Sequence, residues 1–315
     1  MMAHDGRLIR VGNAPCSWGS LEWQDHAQDQ PGYARMLDEL SATGYTGTEL
    51  GDWGFMPTDP QRLAHELTSR SLTMTGAFVP VAFANPDMHK AGAVLALQTA
   101  KLVASVQDPV NPPFIVLADD NCSVPIRTLN AGRITPDMSL KSAAWQTYGQ
   151  GVNMVAQAVS ETTGLRCVFH PHCGGWVESP EEIDALLEHT DANVVGLVFD
   201  TGHYTWGAGF EQGGDIGRAL DRYKSRIAYV HLKDCQPDIA QRAVQSGWGY
   251  HDSVRNGVFC ELGNGRVNFR EVVEWLTNVG YSGFVTVEQD VLPGMGMPKE
   301  SAARNRKFLR EMCGI

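Results

Sequence analysis

Acids and histidines recur in this chain at one kind of place, the end of a short apolar run. Thr48-Glu49-Leu50-Gly51 closes one run; Phe169-His170-Pro171-His172 closes another, with Glu178 following after Cys173-Gly174-Gly175-Trp176. Three more end in Phe199-Asp200-Thr201-Gly202-His203, Val230-His231-Leu232-Lys233-Asp234 and Val287-Glu288-Gln289-Asp290. An ionisable side chain in a buried run is unfavourable unless something pairs with it. Taken singly, Asp200 could cap the turn after it, His203 could be a satisfied core histidine, and Glu49 could face an arginine. Taken together, four consecutive runs ending in an acid or a histidine point to a shared cation. Carboxylates brought together repel unless a cation or proton lies between them. Mixed oxygen and nitrogen donors without cysteine suit Mn²⁺, Mg²⁺, Co²⁺ or Zn²⁺.

A cation held in this way can engage a ketone oxygen and its neighbouring hydroxyl. It lowers the energy of the enediolate that forms when the α-proton leaves. One group must take that proton and another must return one. Expulsion of the β-hydroxyl gives dehydration, whereas protonation at a different carbon or face gives isomerisation or epimerisation. The three reactions share their first half.

Such residues meet only if the runs that carry them share a rim. Eight candidate strands lie at 8–14, 47–50, 73–79, 114–117, 166–170, 194–200, 227–232 and 284–288. Helical stretches near 31–43, 59–70, 87–106, 139–163, 180–190, 214–223, 268–278 and 299–312 separate or follow them. Val194-Val195-Gly196-Leu197-Val198-Phe199 is apolar on both faces, as buried parallel strands are. Eight strand–helix units predict one closed TIM-type (β/α)₈ barrel over residues 1–315, with its site at the carboxyl ends of the strands. Two long connections, 118–138 and 233–266, leave those ends; the second holds Trp248, Tyr250 and His251. Long loops there are expected to be lids or binding loops. No Gly-x-Gly-x-x-Gly follows the first strand, and the late Gly263-Asn264-Gly265 lacks the third glycine, which argues against a dinucleotide site.

Composition narrows the class of partner. Hydrophobic residues make up 43%, enough for a sizeable core, and the net charge of −11 with no basic run disfavours nucleic acid and anionic membranes. No apolar run is long enough to span a bilayer, and residues 1–7 lack the apolar core of a secretory signal. The seven cysteines are scattered without a Cys-x-x-Cys pair, so they are expected to be reduced and mostly buried, in a cytoplasmic protein.

Four segments, Gly44 to Gly51, His170-Pro171-His172 through Glu178, Asp200-Thr201-Gly202-His203 and His231-Leu232-Lys233-Asp234, resemble the xylose isomerase-like sugar isomerase/epimerase superfamily. Within it the chain is most similar to the inosose (2-keto-myo-inositol) dehydratase group, through Gly257-Val258-Phe259 and the stretch from Gly263 to Phe269. The resemblance implies a metal held by Glu178, Asp200, His231 and Glu288. Many members carry the first acid on the fifth strand itself, where this chain has Val168, Phe169 and His170, so His172 is a rival ligand. Two departures bear on the substrate: the opening Asn13 to Gly19 is unlike the usual dehydratase opening, and Asn264 stands where Asp is common.

The resemblance also sets the expected roles. Glu178 or Glu288 would double as ligand and acid/base, with His172, His203 and Lys233 as proton carriers or hydroxyl binders. Metal binding lowers a carboxylate's pKa and weakens it as a base, so a histidine or lysine is expected to take part. Glu49, His170, His203 and Asp234 are expected at the substrate, and Trp18 and Trp206 either stack on a polyol ring or pack the rim. The implied activity is a metal-dependent lyase on a cyclic keto-polyol in inositol catabolism, with Mn²⁺ or Co²⁺ foremost and Mg²⁺ or Zn²⁺ also compatible. The alternative is a ketose isomerase or epimerase in the same site. A DNA-repair barrel like the apurinic endonucleases lacks its basic rim here, and a non-catalytic sugar-binding barrel would bind without the metal. A small sugar or polyol is the expected partner, and barrels of this kind usually form homo-oligomers.

Overall fold

Strands that are apolar on both faces cannot lie at a surface, and here they close on themselves. In the computed structural model, which describes residues 8–19, 32–209, 215–292 and 294–315, the expected eight-stranded parallel barrel is present. Its strands are β1 (Ile9–Asn13), β2 (Gly47–Glu49), β3 (Thr73–Pro80), β4 (Phe114–Ala118), β5 (Cys167–Phe169), β6 (Val195–Asp200), β7 (Ile227–Leu232) and β10 (Gly283–Val287). Two further strands, β8 (Asp234–Cys235) and β9 (Phe259–Cys260), form a separate antiparallel pair. The barrel order is β1-β10-β7-β6-β5-β4-β3-β2, closing back on β1. The expected absence of a secretory signal concerns residues 1–7, which lie outside the described residues.

Each barrel strand leads into a connection that brings a helix to the outside, and the helix starts are legible as caps. Asp59, Ser179, Asp215 and Asn268 accept the third backbone N–H of the helices they precede, and Ser179 forms a capping box with Glu182. The apolar faces of these helices and the outward faces of the strands make the larger core, including Leu37, Leu63, Val103, Val155, Leu186, Leu220 and Leu276. The barrel interior has its own cluster of Val116, Val168, Val198, Tyr229 and Phe284. Gly47 is required there: a Cβ would lie 2.6 Å from the side chains of both Phe284 and Thr75.

Both long connections leave the carboxyl ends of strands, as expected. The 233–266 connection is more ordered than its sequence suggests: the β8–β9 pair encloses helices Pro237–Ser246 and Tyr250–Arg255. Two-residue strands carry too little periodicity to be read from sequence. A helix, Thr201–Gly207, also starts directly at the end of β6. All seven cysteines are free; Cys167, Cys173 and Cys235 are buried, but the other four are only partly so, which corrects the expectation that most would be buried. Among the described residues no helix is long and apolar enough to cross a membrane.

Candidate active site

Parallel register places acids and imidazoles side by side at the carboxyl rim. Asp200 and His231 are paired positions on β6 and β7. Glu288 follows β10, with its N–H donated to Leu232 O, and His170 follows β5, with its N–H donated to Leu117 O. One ligand atom each from His170, Asp200, His231 and Glu288 lies within 4.8 Å of the others. The sequence-derived set and this cluster share Asp200, His231 and Glu288; His170 stands where Glu178 was expected.

The donor set fits a divalent cation. Asp200 Oδ2 and His231 Nδ1 are buried without a hydrogen-bond partner, and His170 turns its Nε2 toward Asp200 Oδ2 at 3.7 Å. His231 Nδ1 faces Glu288 Oε1 at 3.1 Å, yet without hydrogen-bonding geometry. A lone pair facing a carboxylate at that distance is repulsive unless positive charge lies between them. Asp200 divides its carboxylate between two tasks. Oδ1 caps the Thr201–Gly207 helix by accepting the His203 N–H at 2.7 Å, while Oδ2 turns into the cluster. Capping and cluster membership therefore coexist in one residue.

Beside the cluster Lys233 Nζ lies 3.3 Å from Glu288 Oε2 and 3.0 Å from Asp290 Oδ2. Burial alone would lower its pKa, but Asp290, Glu288 and Asp200 carry it well above the usual lysine range, so it is an ammonium. His172 donates from Nδ1 to Cys173 O at 2.7 Å, which leaves Nε2 as an acceptor, 3.4 Å from the Tyr250 hydroxyl. His203 packs on His172 with ring centroids 3.9 Å apart and accepts the Cys173 N–H at Nδ1. Burial, then His172 and Lys233, push its pKa well below the usual imidazole value, so His203 is neutral.

His170, His172, Lys233, Glu288 and Glu49 line one cleft, together with Cys16, Asp52, Phe78, Tyr250 and Asp290. Other expected site residues lie elsewhere. The Glu178 carboxylate accepts from Gly132 N at 2.6 Å and Gly174 N at 2.7 Å, fastening two loops, and burial pushes its pKa up to about 7. Asp234 accepts four backbone N–H groups, from Cys235, Gly263, Gly265 and Val267, which commits both its oxygens to the loop after β9. Trp18 is buried with its indole N–H donated to Glu39, and Trp206 is buried against Tyr250 and Phe259. Neither tryptophan lines the cleft. His203 stands behind Lys233 and is not among the lining residues.

Sequence reasoning did not select Cys16, Asp52, Phe78, Tyr250 or Asp290. Asp290 carried a signal, standing two residues past Glu288 at a strand end. Tyr250 comes from the long 233–266 connection, where the sequence named it with Trp248 and His251 in an expected binding loop but gave no sign which of the three would line the cleft.

A model of the xylose isomerase-like TIM barrel family matches residues 37–312, and the chain belongs to that family. Among curated relatives it is similar to inosose dehydratase of Salmonella typhimurium, 27% identical over 97% of each chain. It is also similar to inosose dehydratase of Bacillus velezensis, 29% identical over 95% of this chain and 97% of that one. A solved structure described as the IOLI protein with a bound zinc atom shares the fold, with a TM-score of 0.67, 13% identity, and coverage of 97% of this chain and 98% of that chain.

Proposed function

We propose that this protein is a metal-dependent dehydratase of a cyclic keto-polyol of the inosose type. The observation that carries this reading is the meeting of His170, Asp200, His231 and Glu288 beside a cleft that Lys233 and His172 also line. The full-length likeness to proteins named inosose dehydratase supplies the reaction. These four residues would hold the ion. When bound, it would supply Lewis-acid polarisation of the ketone oxygen.

The chain's own groups do the rest. His172 Nε2, fixed as an acceptor by its Nδ1–H bond to Cys173 O, takes the α-proton. The Lys233 ammonium, held by Glu288 and Asp290, gives a proton to the departing β-hydroxyl, which leaves as water. The products are an unsaturated ketone and water. Among the described residues Lys233 is the only lysine or arginine lining the cleft, and it already faces two carboxylates. That supports a neutral polyol over a sugar phosphate. Mn²⁺ or Co²⁺ is the ion proposed, in a cytoplasmic homo-oligomer with no nucleic-acid or membrane partner; the acidic charge of −11 supports the last of these.

The test is incubation with inososes and ketoses in the presence of Mn²⁺ or Co²⁺, read by mass spectrometry and ultraviolet absorbance. Loss of one water with a new enone band supports the dehydratase. A product of unchanged mass and altered retention time would instead establish the isomerase or epimerase. Tight sugar binding that survives chelation, with no turnover when metal is present, would sink the enzyme reading.

A further inference from the structure

The two nitrogens of His231 face different neighbours. Nε2 lies 2.8 Å from Glu49 Oε1, and a carboxylate only accepts, so Nε2 carries the hydrogen. Nδ1 is the nitrogen on the side of Glu288 and Asp200, at 3.1 and 4.0 Å. Glu49 is held in turn from below. The same Oε1 accepts from the Tyr229 hydroxyl at 2.9 Å, and that hydroxyl also meets Thr75 Oγ1 at 3.1 Å and Thr286 Oγ1. Glu49, Thr75, Tyr229, His231 and Thr286 are all buried, so bulk water does not compete for these bonds. They come from β2, β3, β7 and β10, and the chain of contacts crosses the barrel interior. The Tyr229 ring is fixed by stacking on Phe114, with centroids 5.1 Å apart.

We infer that Glu49 and Tyr229 are positioning residues for the cation site. Glu49 locks His231 as the Nε2–H tautomer with Nδ1 aimed at Asp200 and Glu288, and Tyr229 holds Glu49 in place. Glu49, expected from the sequence at the substrate, thus acts on the site through His231 as well as lining the cleft. The inference rests on the cation-dependent reading above and extends it into the barrel interior. Partners that orient a metal-bound histidine typically change metal affinity 10- to 100-fold.

The test is calorimetric titration of Mn²⁺ into chelator-stripped wild type, Glu49→Gln and Tyr229→Phe, beside a ¹H–¹⁵N histidine spectrum of zinc-loaded wild type. Glu49→Gln is expected to bind Mn²⁺ roughly 10- to 100-fold more weakly, and Tyr229→Phe more weakly by a smaller factor. The spectrum should place the His231 proton on Nε2. A purely structural role would lower the melting temperature of both variants and leave their affinity alone. Variant affinities within twofold of a wild type that does bind, or a His231 proton on Nδ1, overturn this inference while leaving the cation site standing. Wild type that binds neither ion overturns both. The wild-type spectrum keeps the inference testable even if Glu49→Gln fails to fold.

Discussion

Asp200 allows its two tasks to be separated. An asparagine retains a carbonyl oxygen for the His203 N–H and loses the negative charge on the side of the cluster. Asp200→Asn is therefore expected to leave the apo protein's thermal unfolding nearly unchanged while weakening Mn²⁺ binding by at least about 100-fold. Metal content after desalting and a melting curve check the two halves. Glu178 gives a pH-dependent prediction. Its pKa rises from 4.5 to about 7 on burial, so between these values the folded chain holds a proton that the unfolded chain has released. Stability from this group is then largest at low pH and falls as pH rises through that window, by about 3 kcal/mol in all. Glu178→Gln cannot ionise. Denaturant unfolding of wild type relative to this variant should show a deficit growing from pH 4.5 to 7; parallel curves would mean that the carboxyl is ionised throughout.

One buried ion pair fastens the turn beyond His172, a residue that lines the cleft. Arg127, on the short helix Pro125–Leu129 after β4, makes two 2.7 Å bonds to Glu182 and donates to Gly175 O at 2.8 Å. Glu182 also accepts from the N–H groups of Glu178 and Ser179. The pair thus ties the loop after β4 to the turn that follows His172. Removing one member of a buried pair leaves an uncompensated charge, which costs about 3–5 kcal/mol. Arg127→Met is expected to lose that much stability in urea unfolding and, by loosening the His172 turn, to raise KM more than it lowers kcat. A variant that unfolds like wild type would show that the pair does not clamp these loops.

The whole molecule carries a net charge of −11, and its barrel gathers carboxylates at one rim. The four donors come from β5, β6, β7 and β10 and their ends, so they meet only in the closed barrel. An ion that binds the folded chain alone stabilises it by about 2.7 kcal/mol at 100 times its Kd. For a chain of this length that corresponds to a rise in Tm of about 4 °C. Scanning fluorimetry with Mn²⁺ and then with excess chelator measures the shift; no difference would count against a cation site in the fold.

The barrel and the rim position of Asp200, His231 and Glu288 were legible in the chain because both depend on local order, whereas their expected role as ligands came from the family resemblance. Runs apolar on both faces have to be buried strands, and the last position or two of such a run lies at the rim, which puts Asp200, His231 and Glu288 there before any contact is known. Beyond β5 this reasoning stops. Glu178 and His172 were the rivals for the place after β5, yet His170 stands in the cluster, and Glu178 is drawn off by the N–H of Gly132, 46 residues away. Asp234 sits in a matching strand-end motif but is claimed by four backbone N–H groups, which carry no signature in side-chain type. Glu49 and His231, 182 residues apart, become partners only when the strands wrap into a ring. Hydrophobic periodicity reports which face of a strand is buried; it does not report which buried acid a distant donor will take, because that choice is made by side-chain reach and backbone N–H groups in the closed structure.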